Sequence, residues 1–130
     1  MSPISWTNDD LPELGGDTSL ETCLKETRLA GFSGTELGGK FPNNPNSLKK
    51  VLEAHELKLI SGWYSGTLLK NKLNDEKIKL DKMLKLFVKV GASVLVYGET
   101  YNTVQNNKDK TLNSRPRLSE FDIKQYGHCL

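Results

Sequence analysis

Two acids stand where short apolar runs stop: Glu36 in "SGTELGG" and Glu99 at the end of "SVLVYGE". In the second, Val94, Leu95 and Val96 read as a strand covered on both faces. Two further strand-like runs end in aromatic or amide side chains. Trp6 and Asn8 close "PISWTN", and Trp63 and Tyr64 close "KLISGWY". An acid in such a position can accept hydrogen bonds from substrate hydroxyls, and burial in a dry pocket tunes a carboxyl for proton transfer. An unpaired buried charge is costly, so each acid also needs partners. Structural roles compete with these at every position. Glu36 can tie down loop amides near Gly38 and Gly39, Trp63 and Tyr64 can pack beneath a loop, and Asn8, Asp9 and Asp10 can shape a turn.

The remaining reactive side chains favour structural roles. His55 is the fourth member of a helical stripe with Leu48, Val51 and Leu52, which suits a packed or C-capping imidazole. His128 stands near the chain end and carries no functional expectation. Cys23 sits on an apolar stripe and reads as a buried thiol; with Cys129 far away, no paired spacing for zinc or thiol exchange exists. "ELGGKF" contains Gly-Gly-Lys without the spacing of a phosphate-binding loop, and no G-x-G-x-x-G turn follows the first strand.

The elements that must position these residues alternate. "PISW" is a short strand candidate. A helix follows, with Thr18 and Glu21 as a capping-box pair, Leu20, Cys23, Leu24 and Thr27 on one face, and Gly31 at its C-terminal end. "SGTEL" is the second strand. A helix from about Ser47 leads to the third strand, "LKLISGWY". The next helix takes Asn74 as N-cap, Asp75 and Glu76 in its first turn, and Leu80, Met83, Leu84 and Phe87 as its stripe, with Gly91 closing it. "SVLVYGE" is the fourth strand. A loop rich in Asn and Lys, holding Arg115 and Arg117, precedes a last helix from Ser119.

Composition sets the outer limits. The chain has 130 residues, enough for one domain with its own core. Eighteen basic residues against 16 acidic ones give a net charge of +2, too balanced for a nucleic-acid surface. The lysines of "KIKLDKMLKLFVK" are spaced as a solvated helix face. No secretory signal pattern opens the sequence and no apolar run approaches a membrane span, so a cytoplasmic protein is expected.

A β-α-β-α-β-α-β-α order argues for an α/β fold with a parallel sheet and helices packed outside it. An open doubly wound sheet and part of a (β/α)8 barrel both fit that order. In a barrel, function gathers at the C-terminal strand ends, where Trp6, Asn8, Glu36, Trp63, Tyr64 and Glu99 all fall. A full barrel takes roughly 250 residues, so four units make the N-terminal half of one. Half a barrel leaves strand edges and apolar surface uncovered, which predicts self-association.

The strings "SPISWTNDDLPELGGDTSLETCL", "GFSGTELGGKFP", "LISGWYSG", "GASVLVYGET" and "RPRLSEFD" together resemble the N-terminal half of the inosose dehydratase family, of the xylose-isomerase-like TIM barrels. The resemblance runs from near Ser2 to the end of the chain. It implies one partial domain over 1–130, an N-terminal fragment inactive alone, and a lyase of inositol catabolism. The implied reaction removes water from 2-keto-myo-inositol (scyllo-inosose), a cyclitol ketone, to give a trihydroxycyclohexane-dione. It also implies cobalt or manganese as a divalent metal, with glutathione as a cofactor. The metal ligands of that superfamily, carboxylates with a histidine, lie on strands of the second half. None is therefore carried onto this chain, and Glu99 falls one unit too early. Trp63 and Tyr64 are then expected to wall a cyclitol ring, with Trp6, Asn8, Glu36 and Glu99 as further substrate contacts. No catalytic base is assigned. Arg115 and Arg117 are candidates for an anion such as glutathione, against simple surface solvation. A sugar isomerase or epimerase of the same superfamily, and a non-catalytic half-barrel module, are the alternatives.

Overall fold

The structure is a computed structural model describing residues 1–104, 107 and 109–129. Positions 105, 106, 108 and 130 lie outside the described residues, the first three in the stretch expected to be an Asn- and Lys-rich loop. Along the chain come α1 (Leu20–Leu29), β1 (Gly34–Leu37), α2 (Pro45–Ala54), β2 (Lys58–Gly66), α3 (Leu73–Val90), β3 (Val96–Glu99) and α4 (Glu120–Cys129). Single 3-10 turns occupy Pro3–Ser5 and Leu112–Ser114. The sheet runs β1-β2-β3 with both pairs parallel, so the architecture is α/β with a three-stranded parallel sheet.

"PISW" is not a strand. Proline has no N–H for a sheet ladder and fixes φ near its helical value, which suits the first position of a helical turn. The amides of Trp6 and Thr7 accordingly both donate to the Pro3 carbonyl. Only Met1 pairs with β1, donating to the Gly34 carbonyl at 3.0 Å and accepting from the Glu36 amide at 3.1 Å.

Helix boundaries follow capping chemistry. Ser19, not Thr18, caps α1, its hydroxyl accepting from the Thr22 amide. Asn44 caps α2 by accepting from the amides of Asn46 and Ser47, and Pro45 takes the first helical position, so the helix begins before Ser47. In α3, Asn74 lies inside the helix behind Lys72, whereas Asp75 and Glu76 do occupy the first turn. Gly31 and Gly91 end their helices at φ 85° and 81°, where a Cβ would be strained. Ser119 and Asp122 bond reciprocally at the start of α4.

The core lies between one face of the sheet and α1, α2 and α3. It gathers Leu24, Leu48, Leu52, Leu57, Leu59 and Phe87, joined by Phe41 from the loop after β1. The α3 stripe is rotated from expectation: Leu80, Met83 and Phe87 pack inward while Leu84 is 41% exposed. Glu76 lies on that same inward line and is 2% exposed. On the opposite face of the sheet, Ile60, Trp63, Val94 and Val96 are exposed. The "SVLV" run is therefore covered on one side only, and the regular strand begins at Val96.

Candidate functional site

Alternation along the strands sorts the strand-end residues between two faces. Trp63 and Ser65 of β2 stand with Val96 and Gly98 of β3 on the open face. Tyr64 and Gly66 stand with Tyr97 and Glu99 on the helix-covered face. Ring contacts and close approaches fix this assignment. A Cβ added at Gly98 would lie 2.2 Å from the Trp63 ring, whereas one at Gly66 would lie 1.9 Å from the Tyr97 ring. Tyr64 stacks on Tyr97 with ring centroids 5.6 Å apart. Glu36 lies on the open face by alternation with the buried Thr35, and the β1–β2 register shift, which skips Ile60, puts Ser61 opposite it.

On the open face, the C-terminal ends of β1 and β2 meet residues 2–10 around a cavity of about 620 Å³. Asp9, Asp10, Glu36, Trp63, Ser65 and Pro3 are among its lining, and among the described residues no lysine, arginine or histidine is. The volume falls in the range of small-molecule sites, roughly 300–1,000 Å³. Glu36 accepts from the Ser61 hydroxyl through Oε1 at 2.8 Å, and its Oε2 has no partner among the described residues. The Trp63 indole donates to Ser65 Oγ at 2.9 Å, which fixes the ring over Gly98. The arrangement supplies carboxylate acceptors beside a flat apolar wall, the combination that binds a ring bearing hydroxyl groups.

The other predicted residues lie elsewhere. Trp6 donates its indole N–H to Glu26 of α1. Asn8 accepts from the amides of Asp10 and Leu11, an Asx turn that turns Asp9 and Asp10 onto the cavity rim. Glu99 accepts from the amides of Leu68 and Tyr101. Tyr64 donates to Glu76 Oε1 at 3.2 Å. His55 caps α2, its ring bonded to the Val51 carbonyl and paired with Glu21 at 3.1 Å; first that carbonyl and then Glu21 raise its pKa. Cys23 is buried, which pushes its thiol pKa up. Arg115, Arg117 and His128 are exposed.

Sequence reasoning missed Glu76. Its carboxylate accepts from the Thr67 amide, the Thr67 hydroxyl, the Asn71 side-chain amide and the Tyr64 hydroxyl, at 2.9 to 3.2 Å. Burial alone would raise its pKa, and these hydrogen bonds together outweigh burial and lower it. The signal was an acid on the line of Leu80, Met83 and Phe87. Tyr97 is the counterexample beside it. Its hydroxyl is buried without a partner among the described residues, and burial, then the charges of Glu99 and Glu76, raise its pKa.

Among the described residues, no group of three or more His, Cys, Asp or Glu side chains is placed to hold a metal ion. Among the described residues, the cavity lining holds no lysine, arginine or histidine to meet an anionic cofactor. A second hollow of about 540 Å³, at the other end of β2 near Leu57 and Val90, contains none of the predicted site residues. No described helix is long and apolar enough to cross a membrane.

Comparison with curated proteins agrees with the strings quoted above. The chain is 43% identical to the rhizopine catabolism protein MocC of Rhizobium meliloti over 130 residues, all of this chain and 40% of that protein. It is 38% identical to inosose dehydratase 2 of Bacillus cereus over 131 residues, all of this chain and 44% of that protein. With the inosose dehydratase of Lacticaseibacillus casei it shares 36% over 121 residues, 92% of this chain and 41% of that one. This chain is similar to inosose dehydratases. It spans about two fifths of the length of these relatives. No protein-family model matches it. The dehydratase likeness covers the strand ends that form the cavity as well as the helices behind them.

Proposed function

We propose that this chain supplies part of the substrate-binding wall of an inosose dehydratase, as one partial domain of a (β/α)8 barrel. The carrying observation is the cavity that unites Glu36, its Oε2 without a partner among the described residues, with Asp9, Asp10 and Trp63. The names of the relatives supply the chemistry: loss of water from a cyclitol ketone. The ketone acidifies the neighbouring C–H, a base removes that proton, and hydroxide leaves the adjacent carbon. In this reading Glu36 and the two aspartates accept hydrogen bonds from ring hydroxyls while Trp63 covers the C–H face. The base is supplied from elsewhere in the assembled enzyme. A divalent cobalt or manganese ion and glutathione remain part of the proposal as cofactors bound by residues other than these, and no step is assigned to them.

The test is titration of scyllo-inosose onto the chain, followed by tryptophan fluorescence, with Glu36→Gln in parallel. The substitution keeps the Ser61 bond and removes the charge. An affinity loss of about tenfold is expected, the scale of one hydrogen bond to a charged group. Equal affinities would remove Glu36 from the site. Joined to the part of a relative that the match leaves uncovered, the chain should dehydrate inosose; turnover of xylose alone would overturn the substrate.

The exposed apolar side chains Ile60, Val94 and Val96 favour a second reading, in which the open face buries itself against another copy. Light scattering across a concentration series decides it. A dimer abolished by Ile60→Lys supports assembly, and a monomer at every concentration removes it.

A further inference from the structure

The Gly-Gly-Lys of "ELGGKF" is not a phosphate loop, yet its lysine is specifically placed. Lys40 Nζ donates to the carbonyls of Gly15 at 3.2 Å and Gly16 at 3.0 Å, and also to that of Thr18. An ammonium has three protons, and three backbone acceptors converge on this one. Those carbonyls close the loop that carries Asp9 and Asp10. The loop is held internally by the Asn8 amide on the Leu14 carbonyl at 3.1 Å and by the Asx turn at Asn8. Its closing residue, Gly15, has φ 71°, and a Cβ there would fall 1.8 Å from the Trp6 carbonyl oxygen.

The lysine's own backbone is fixed from the other side. Phe41, the next residue, is 5% exposed in the core, and the turn from Gly38 to Phe41 closes through a 3.1 Å backbone bond. One residue before the lysine, the Gly39 amide donates to Asp9 Oδ2 at 2.9 Å. A Cβ at Gly39 would approach Asp9 Oδ1 to 2.8 Å, so a larger residue there would push the carboxylate tip aside. Two adjacent residues after β1 thus grip both ends of the acidic loop, the first by its amide and the second by its ammonium.

We propose that Lys40 is a positioning residue that latches the Asp9–Asp10 loop to the end of β1 and so holds both aspartates at the cavity beside Glu36. The idea that these aspartates then meet ring hydroxyls rests on the function proposed above; the latch itself does not. Because Lys40 is an exposed residue outside the core, removing its charge should loosen the loop and leave the fold standing.

Hydrogen exchange by mass spectrometry on the full chain, wild type against Lys40→Met, tests the latch without any ligand. Methionine keeps most of the stem and removes the cation. Amides of residues 8–18 should exchange about tenfold faster, as charge-assisted bonds are lost, while those of β2 and α2 keep their rates. Unchanged exchange in the loop overturns the proposal, and so does equal acceleration throughout the chain. Titration with scyllo-inosose then reads the consequence. Lys40→Met should bind about tenfold more weakly, the scale of a small misplacement of contact groups. Equal binding by both proteins, with the loop loosened, rejects a positioning role. If wild type binds no inosose, the functional reading fails, and the exchange rates alone decide for or against the latch.

Discussion

Glu36 and Glu76 are carboxylates serving opposite faces of one sheet, and their surroundings have little in common. Glu76 is closed in by four donors from three residues and lies 2% exposed. Glu36 has one donor among the described residues, and it lines a cavity. A carboxylate whose acceptor sites are filled by its own chain stabilises that chain, whereas one with vacant acceptor sites can bind something else. The helix-covered side is thus built for rigidity and the open side for contact. The sheet transmits the first to the second, because Tyr64 and Thr67, which donate to Glu76, belong to the strand and turn that also carry Trp63 and Ser65.

The largest expected effect comes from destroying the closed side. Glu76→Ala orphans four donors in a buried place and should cost about 3 kcal/mol in urea unfolding. The same contrast has a pH signature. Because folding lowers the pKa of Glu76, its contribution is fully present above the unfolded value near 4.5 and disappears as pH falls through the lower folded value. The stability gap between wild type and Glu76→Ala should therefore narrow in acid, and a gap constant from pH 7 down to strong acid would refute the assignment. Next comes the open side. Gly98→Ala drives a methyl into the Trp63 ring and should cost about 2 kcal/mol by overpacking, with a shift in tryptophan emission. Glu36→Gln sharpens the contrast by doing little to stability, within about 0.5 kcal/mol, while weakening inosose binding. The last test lies back on the closed side, where no loss of stability is expected. Tyr97→Phe deletes a buried hydroxyl with no partner among the described residues, so stability should hold or rise by up to about 1 kcal/mol.

Periodicity made the scaffold legible. The stripes Leu20-Cys23-Leu24-Thr27 and Leu48-Val51-Leu52-His55 are the buried faces of α1 and α2, because a helix docked on a sheet must present one apolar line. The strand ends were legible as a group and ambiguous one by one. Trp63 and Tyr64 are neighbours, as are Gly98 and Glu99, and sequence does not say which of each pair turns toward the helices. The register shift opposite Glu36 has no sequence marker, yet it decides that Ser61 stands across from this acid and donates to it. "PISW" misled because its apolar residues outweighed the missing N–H of Pro3. Glu76 escaped notice because a first-turn acid is so readily explained by the helix dipole alone.

Strand β2 carries one role on its odd-numbered tip residues and another on the even-numbered ones between them. Such interleaving gives substitution tolerance a two-residue beat across 63–66. Under the function proposed above, changes at Trp63 and Ser65 would retune what the cavity accepts without disturbing the helices, whereas changes at Tyr64 and Gly66 would be answered by the fold. If that proposal holds, a lineage or an engineer can vary ligand preference on this strand one alternate letter at a time.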